Sequence, residues 1–235
     1  MNLSKNKEII RQGTLVAVLL LEVVLFSYFS RNFFTFSNLI NVLRQISVTG
    51  ISAVGMFMII LLGDIDLSVG AVYAFVGVIC AYIFRATQST VIVFISAVAI
   101  GTCIGMISGF ITAKGKIPAF ITTLAVTSVC RGTAYILTGG TPIGISNPKF
   151  TVFGSGYVFS MVPIPVVIMI VIVAAGFFLV GYTRFGRYVY ACGGNGQASR
   201  WSGINVDRIR ILVFTISGFL CGISGLILAG RLGGG

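Results

Sequence analysis

Two carboxylates sit two positions apart in the stretch GDIDLSVG (63–70), between two apolar runs, in a chain that has only five acidic residues among 235. Two kinds of chemistry suit that spacing. A charge held at membrane depth is costly enough to be retained for an ion or substrate pathway. At a helix start, Asp and Ser oxygens accept from the otherwise unpaired first N–H groups and suit the positive end of the helix dipole. The capping or packing reading is preferred, because Asp-x-Asp beside a helix start satisfies the local chemistry without a ligand. Asp64, Asp66 and Ser68 therefore stand as gate or helix-cap candidates. Glu22 and Arg131 are isolated ionisable groups inside other apolar runs. They must face protein, water or each other, and a structural pair or snorkelled position is preferred to a proton relay. The five cysteines, Cys80, Cys103, Cys130, Cys192 and Cys221, form no C-x-x-C, and the chain has no His. They read as small apolar packing residues, and no metal site is expected.

The elements that position these residues are membrane spans. Hydrophobic residues make up 57% of the chain and charged ones 9%, and its mean hydropathy is +1.05, whereas a soluble domain is about 25% charged. Seven apolar runs, approximately 14–30, 46–62, 67–84, 90–112, 117–137, 162–181 and 211–230, predict an all-α polytopic bundle forming one transmembrane domain over 1–235. Between the first two runs, Phe33, Phe36, Leu39, Ile40 and Leu43 recur at helical spacing and predict an interfacial amphipathic helix. The basic N-terminal tail resembles a signal peptide, but no small-residue cleavage pattern follows, so an uncleaved first span is expected.

The net charge of +11 falls in the short connections, which points to membrane orientation rather than to nucleic acid. With the N-terminus inside, the cytoplasmic side holds Lys5, Lys7, Arg11, Lys114, Lys116, Arg184, Arg187, Arg200, Arg208 and Arg210. The opposite side holds only Arg31, Arg44, Arg85, Lys149 and Arg231. That asymmetry predicts a cytoplasmic N-terminus and a cytoplasmic loop at 182–210. With only 39 residues in 46–84, the acidic pair falls in a tight cytoplasmic-side turn or in a helix break deeper in the membrane, and residue parity favours the turn.

Gly101, Gly105 and Gly109 recur every four residues, and Ser217-Gly218, Cys221-Gly222 and Ser224-Gly225 repeat the idea in the last run. Such stripes clear a helix face for close packing, which is preferred to a glycine-lined pore. In the loop 182–210, a glycine hinge at Gly193 and Gly194 precedes a short helix. Asn195 caps it, Gln197, Ala198, Arg200 and Trp201 lie within it, and Gly203 ends it. Trp201 is the only tryptophan of the chain, and it serves either as an interfacial anchor or as a knob buried against a protein partner.

The chain resembles the permease subunits of bacterial ABC importers for monosaccharides, of the ribose/xylose/galactose type. SNLINVLRQIS (37–47), GDIDLSVGAVYAF (63–75), KGKIPAFITTLAV (114–126), TRFGRYVYACGGN (183–195) and SGINVDRIRILVFTISGFLCGISGLI (202–227) carry the resemblance in family order. It implies a multi-pass protein of the bacterial inner membrane that works paired with a second permease subunit. It also implies a monosaccharide delivered by an extracytoplasmic binding protein and a drive from cytoplasmic ABC ATPase subunits. By the same resemblance, 194–206 corresponds to the coupling helix that docks on the ATPase. Two departures stand out. Gly196 and Gln197 occupy positions where members often carry acidic residues, and the chain stops at RLGGG where members continue with further spans, so a C-terminally incomplete permease is expected. No G-x-x-x-x-G-K-[ST] is present, which predicts no ATP site or other cofactor on this chain and ATP use by a partner. The rival class is an ion-coupled secondary transporter using Asp64, Asp66 and Glu22. A membrane scaffold without transport leaves the capped cytoplasmic helix unexplained.

Overall fold

A computed structural model describes residues 2–159 and 161–235 as two compact units, Met1–Leu43 and Arg44–Gly235. The helices are α1 (Asn2–Phe29), α2 (Phe36–Leu61), α3 (Val69–Thr87), α4 (Thr90–Lys114), α5 (Ala119–Thr138) and α6 (Pro148–Ser155). A two-residue hairpin follows, β1 (Tyr157–Val158) and β2 (Val162–Pro163), then α7 (Ile164–Tyr182), α8 (Arg184–Gly194), α9 (Gly196–Trp201) and α10 (Val206–Leu232). Among the described residues, six helices (α2, α3, α4, α5, α7 and α10) are long and apolar enough to cross a membrane. The first expected span corresponds to a shorter apolar stretch, Val16–Phe29, within α1. The side chains of Lys5, Lys7 and Arg11 lie outside the described ones.

In the first unit a turn follows α1, pinned by the Asn38 amide, which donates to Phe33 O at 2.8 Å, and by stacked Phe26 and Phe33. The expected interfacial helix is not separate. Residues 36–46 are the first turns of α2, because nothing between Phe36 and Leu61 breaks the helix: the segment holds no proline, and Gly50 and Gly55 are contact points rather than turns.

The second unit is built around α10. In α10, 67% of its most apolar stretch is buried, against 22% in α4 and 17% in α5 and α7. Glycine decides which helices reach it. A Cβ built on Gly105 would stand 2.8 Å from Gly218 Cα, one on Gly218 would stand 2.7 Å from Gly105 Cα, and one on Gly101 would stand 2.7 Å from Gly222 Cα. The backbones of α4 and α10 thus touch directly along both glycine stripes, a contact that only residues without side chains permit. On another face of α10, Gly225 meets Tyr73 of α3 and Ala229 meets Gly77. Along α2, Ser52 Oγ donates to Ser224 Oγ of α10 at 2.9 Å, so the buried hydroxyls pair rather than remain unsatisfied. The short α6 begins with Asn147 accepting from Lys149 N and with Pro148 in the first turn, a start that both residue types favour.

Candidate functional site: a capped helix beside a broken one

Helix α8 begins at Thr183, whose hydroxyl accepts from Gly186 N, and runs through Gly194. Gly193 and Gly194 are therefore helical rather than a hinge, and Gly193 is a packing contact, whereas a side chain on Gly194 would meet nothing within 4 Å. A Cβ on Gly193 would stand 2.9 Å from the carbonyl carbon of Leu61, so the missing side chain lets α8 lie against the end of α2. Asn195 then turns the chain. Its side-chain oxygen accepts from Gln197 N at 3.0 Å and Ala198 N at 2.9 Å, which starts α9 by satisfying two of its free donors. Gly203, at φ +83°, closes α9, with Gly203 N donating to Arg200 O and Ile204 N to Ser199 O. Only Ser199 of α9 is buried. Gln197, Ala198 and Arg200 are exposed, and Trp201 is 82% exposed.

Two ion pairs fix how α9 is presented. Asp207, in the first turn of α10, accepts from Arg200 at 3.0 Å and from Lys114, at the end of α4, at 3.2 Å. Exposed pairs contribute little energy each, but a carboxylate shared by two elements sets their mutual orientation. One turn further along α10, Arg210 Nε donates to Asp64 Oδ2 at 2.7 Å, with both side chains half-buried or better.

The acidic stretch is not a tight turn. Helix α2 ends with Gly63 at φ +78°, where Gly63 N donates to Ile60 O and Asp64 N to Ile59 O, a left-handed termination suited to glycine. Residues 64–67 then run without helix into the bundle before α3 begins. Leu67 N donates to Thr123 Oγ1 at 3.1 Å, and Thr127 Oγ1 donates to Leu67 O at 3.1 Å. These threonines lie four and eight residues into α5, about 6 and 12 Å along it at 1.5 Å per residue. Non-helical backbone inside a membrane bundle persists only where protein groups satisfy it, and two threonine hydroxyls do that here.

The capping expectation is corrected in detail. Asp64 is occupied by Arg210. Asp66, 8% exposed, accepts on one oxygen from Ser68 N at 2.8 Å and from Ser68 Oγ at 2.6 Å, so it orders the residue before α3 rather than a helical N–H. Ser68 holds the N-cap position without a side-chain cap bond: its backbone is already helical (φ −88°, ψ −15°), outside the extended conformation that aims a capping oxygen at the first N–H groups, and its hydroxyl donates to Asp66 instead. Glu22, on α1, and Arg131, on α5, are both exposed and carry no ion pair among the described residues. Sequence reasoning missed Thr123, Thr127 and the Asp64–Arg210 pair. The threonines of Thr122-Thr123 and Thr127 sit in an apolar run at a spacing of four, which was the available signal.

The arrangement is a rigid, solvent-facing helix tied by ion pairs to the starts and ends of membrane helices, next to an interrupted span. Over residues 38–235 the chain matches the family described as "Branched-chain amino acid transport system / permease component". It is 41% identical to the ribose import permease protein RbsC of Haemophilus influenzae, over 98% of this chain and 72% of that protein. It is 40% identical to RbsC of Escherichia coli K12, over 95% of this chain and 70% of that protein. It is 34% identical to the L-arabinose ABC transporter permease protein AraH of Azospirillum brasilense, over 96% and 66%. No solved structure matches the chain significantly.

Proposed function

We infer from one premise, that this chain belongs to the family of permease components of branched-chain amino acid-type transport systems, that it is the membrane-spanning subunit of an ATP-driven monosaccharide importer. The chain is a multi-pass membrane protein and a transport subunit rather than an enzyme. The observation that carries the sugar reading is the 41% identity to a ribose import permease along nearly the whole chain. In this reading an extracytoplasmic binding protein delivers the monosaccharide, a second permease subunit completes the pathway, and a cytoplasmic ABC ATPase supplies the drive. The end of the bundle that carries α8 and α9 faces the cytoplasm, in keeping with the excess of Lys and Arg in its connections.

Helix α9 is the part that meets the ATPase. Its buried serine, capping asparagine and pairing arginine hold it in place, and its outward side presents Gln197, Ala198 and Trp201. Loss of an aromatic buried at the centre of an interface costs on the order of 2 kcal/mol or more, a factor of about 30 in affinity. Trp201→Ala, and more strongly Ala198→Glu, should leave the chain in the membrane while a tagged ATPase no longer copurifies with it, and uptake of ribose or L-arabinose should fall in parallel. Equal recovery of ATPase with intact uptake would sink the assignment and favour an ion-coupled carrier, which needs no such partner.

A further inference from the structure

A second site lies beside α9; it shares Asp64 with the break, and Trp201 does not line it. A cavity of about 390 Å³ opens between the end of α4, the start of α5, α9 and the start of α10. Its polar wall is made by Lys116, Arg200, Arg210, Thr112 and a single carboxylate, Asp64. Each arginine spends only part of its guanidinium on a carboxylate, Arg210 through Nε to Asp64 and Arg200 through Nη2 to Asp207. A guanidinium has five N–H donors, so both retain free ones. Lys116 makes no ion pair or side-chain hydrogen bond among the described residues, and its backbone is held in the left-handed region at φ +53°. Thr112 is 2% exposed, and its hydroxyl has no partner in the structure. Three cations converging on one concave wall, with one acid among them and a polar atom left unpaired, form a receptor lacking its counter-charge.

We propose that this cavity binds a phosphate group on the face of the bundle that carries α9. Phosphate matches the wall because its tetrahedral oxygens accept from guanidinium forks and from an ammonium at once, and its negative charge offsets the surplus that Asp64 leaves, fully for a phosphomonoester dianion and by half for the phosphodiester of a lipid headgroup. The volume exceeds what inorganic phosphate fills, and Ile117 and Pro118 supply an apolar flank for an organic part. The same chemistry has two sources at a membrane surface, a soluble phosphomonoester and the headgroup of an anionic phospholipid. This inference does not depend on the transported substrate or on the ATPase.

The test uses the full chain in nanodiscs of neutral phosphatidylcholine. One arm titrates inorganic phosphate and ribose 5-phosphate by calorimetry. The other replaces part of the lipid with phosphatidylglycerol and measures retained lipid by native mass spectrometry. The variant is Lys116→Asn, since Asn accepts the left-handed backbone while removing the charge. Lys149→Asn, at an exposed residue of α6, removes the same charge away from the cavity. Saturable binding in either arm, weakened at least about tenfold by Lys116→Asn as expected for one charge-assisted hydrogen bond, and changed less than about twofold by Lys149→Asn, supports the site and identifies its source. Absence of saturable binding in both arms overturns it. So does equal weakening by the two variants, which would reveal diffuse attraction, or full binding by Lys116→Asn.

Discussion

A methyl group on Gly105 provides a quantitative test of the core. Its Cβ would stand 2.8 Å from Gly218 Cα and closer still to Phe214 O, whereas ordinary contact begins at 3.4 Å. The two helices must therefore part locally by at least about 0.6 Å, and a gap of that order forfeits a quarter to a half of each dispersion contact along the seam. Overpacking of this kind costs about 1–3 kcal/mol, and we expect Gly105→Ala to fall within that range. Gly218→Ala strains the same contact from the other side, so once the first methyl has opened the seam the second adds less. The double variant should show a coupling of about 0.5–1.5 kcal/mol in a double-mutant cycle. Gly132→Ala, on α5, is the control. A Cβ there meets nothing within 4 Å, and replacing a mid-helix glycine should stabilise by about 0.5–1 kcal/mol. Reversible unfolding in mixed micelles, followed by circular dichroism, measures all four variants. A Gly105→Ala protein within about 0.5 kcal/mol of the parent, or strict additivity with Gly218→Ala, would refute backbone contact between α4 and α10.

Asp64→Asn removes the partner of a half-buried arginine and should destabilise by about 1–2 kcal/mol, less than for a fully buried pair because both side chains keep some solvent. Asp66→Asn keeps an oxygen for Ser68 N and Ser68 Oγ and should change stability by less than about 0.5 kcal/mol, whereas Asp66→Leu strands both donors and should cost about 1–3 kcal/mol in the same assay. Loss of transport in a stable Asp66→Asn protein would show that the charge itself is needed.

Local rules were legible wherever one short stretch held the whole reason for a structure. Asn195 as a cap and Gly203 as a stop fix α9 without any distant partner, and both could be read directly. The glycine stripes of α4 and α10 were visible as periodicities, but a period does not say which helix will answer it, and the two lie more than a hundred residues apart. Arg210 and Asp64 are separated by 146 positions, and nothing near either residue announces the other. The break after α2 was read as a tight turn because its depth depends on Thr123 and Thr127, whose hydroxyls replace the next helical turn from another helix. Gly193 was read as a hinge for the opposite reason. Its neighbours suggested flexibility, while its role is set by a carbonyl of α2 lying where a side chain would be.

The interrupted segment also measures a distance. Its upper end is fastened to α10 through Asp64 and Arg210, and its lower end to α5 through Leu67 and the two threonines. Those fastenings are three residues apart, and three residues of fully stretched chain reach at most about 11 Å. While both hold, the first turns of α10 and the second and third turns of α5 share a leash of fixed maximum length. The two helices can tilt or slide, but they cannot be drawn further apart than that span plus the reach of the side chains at its two ends without first releasing the arginine or the threonines.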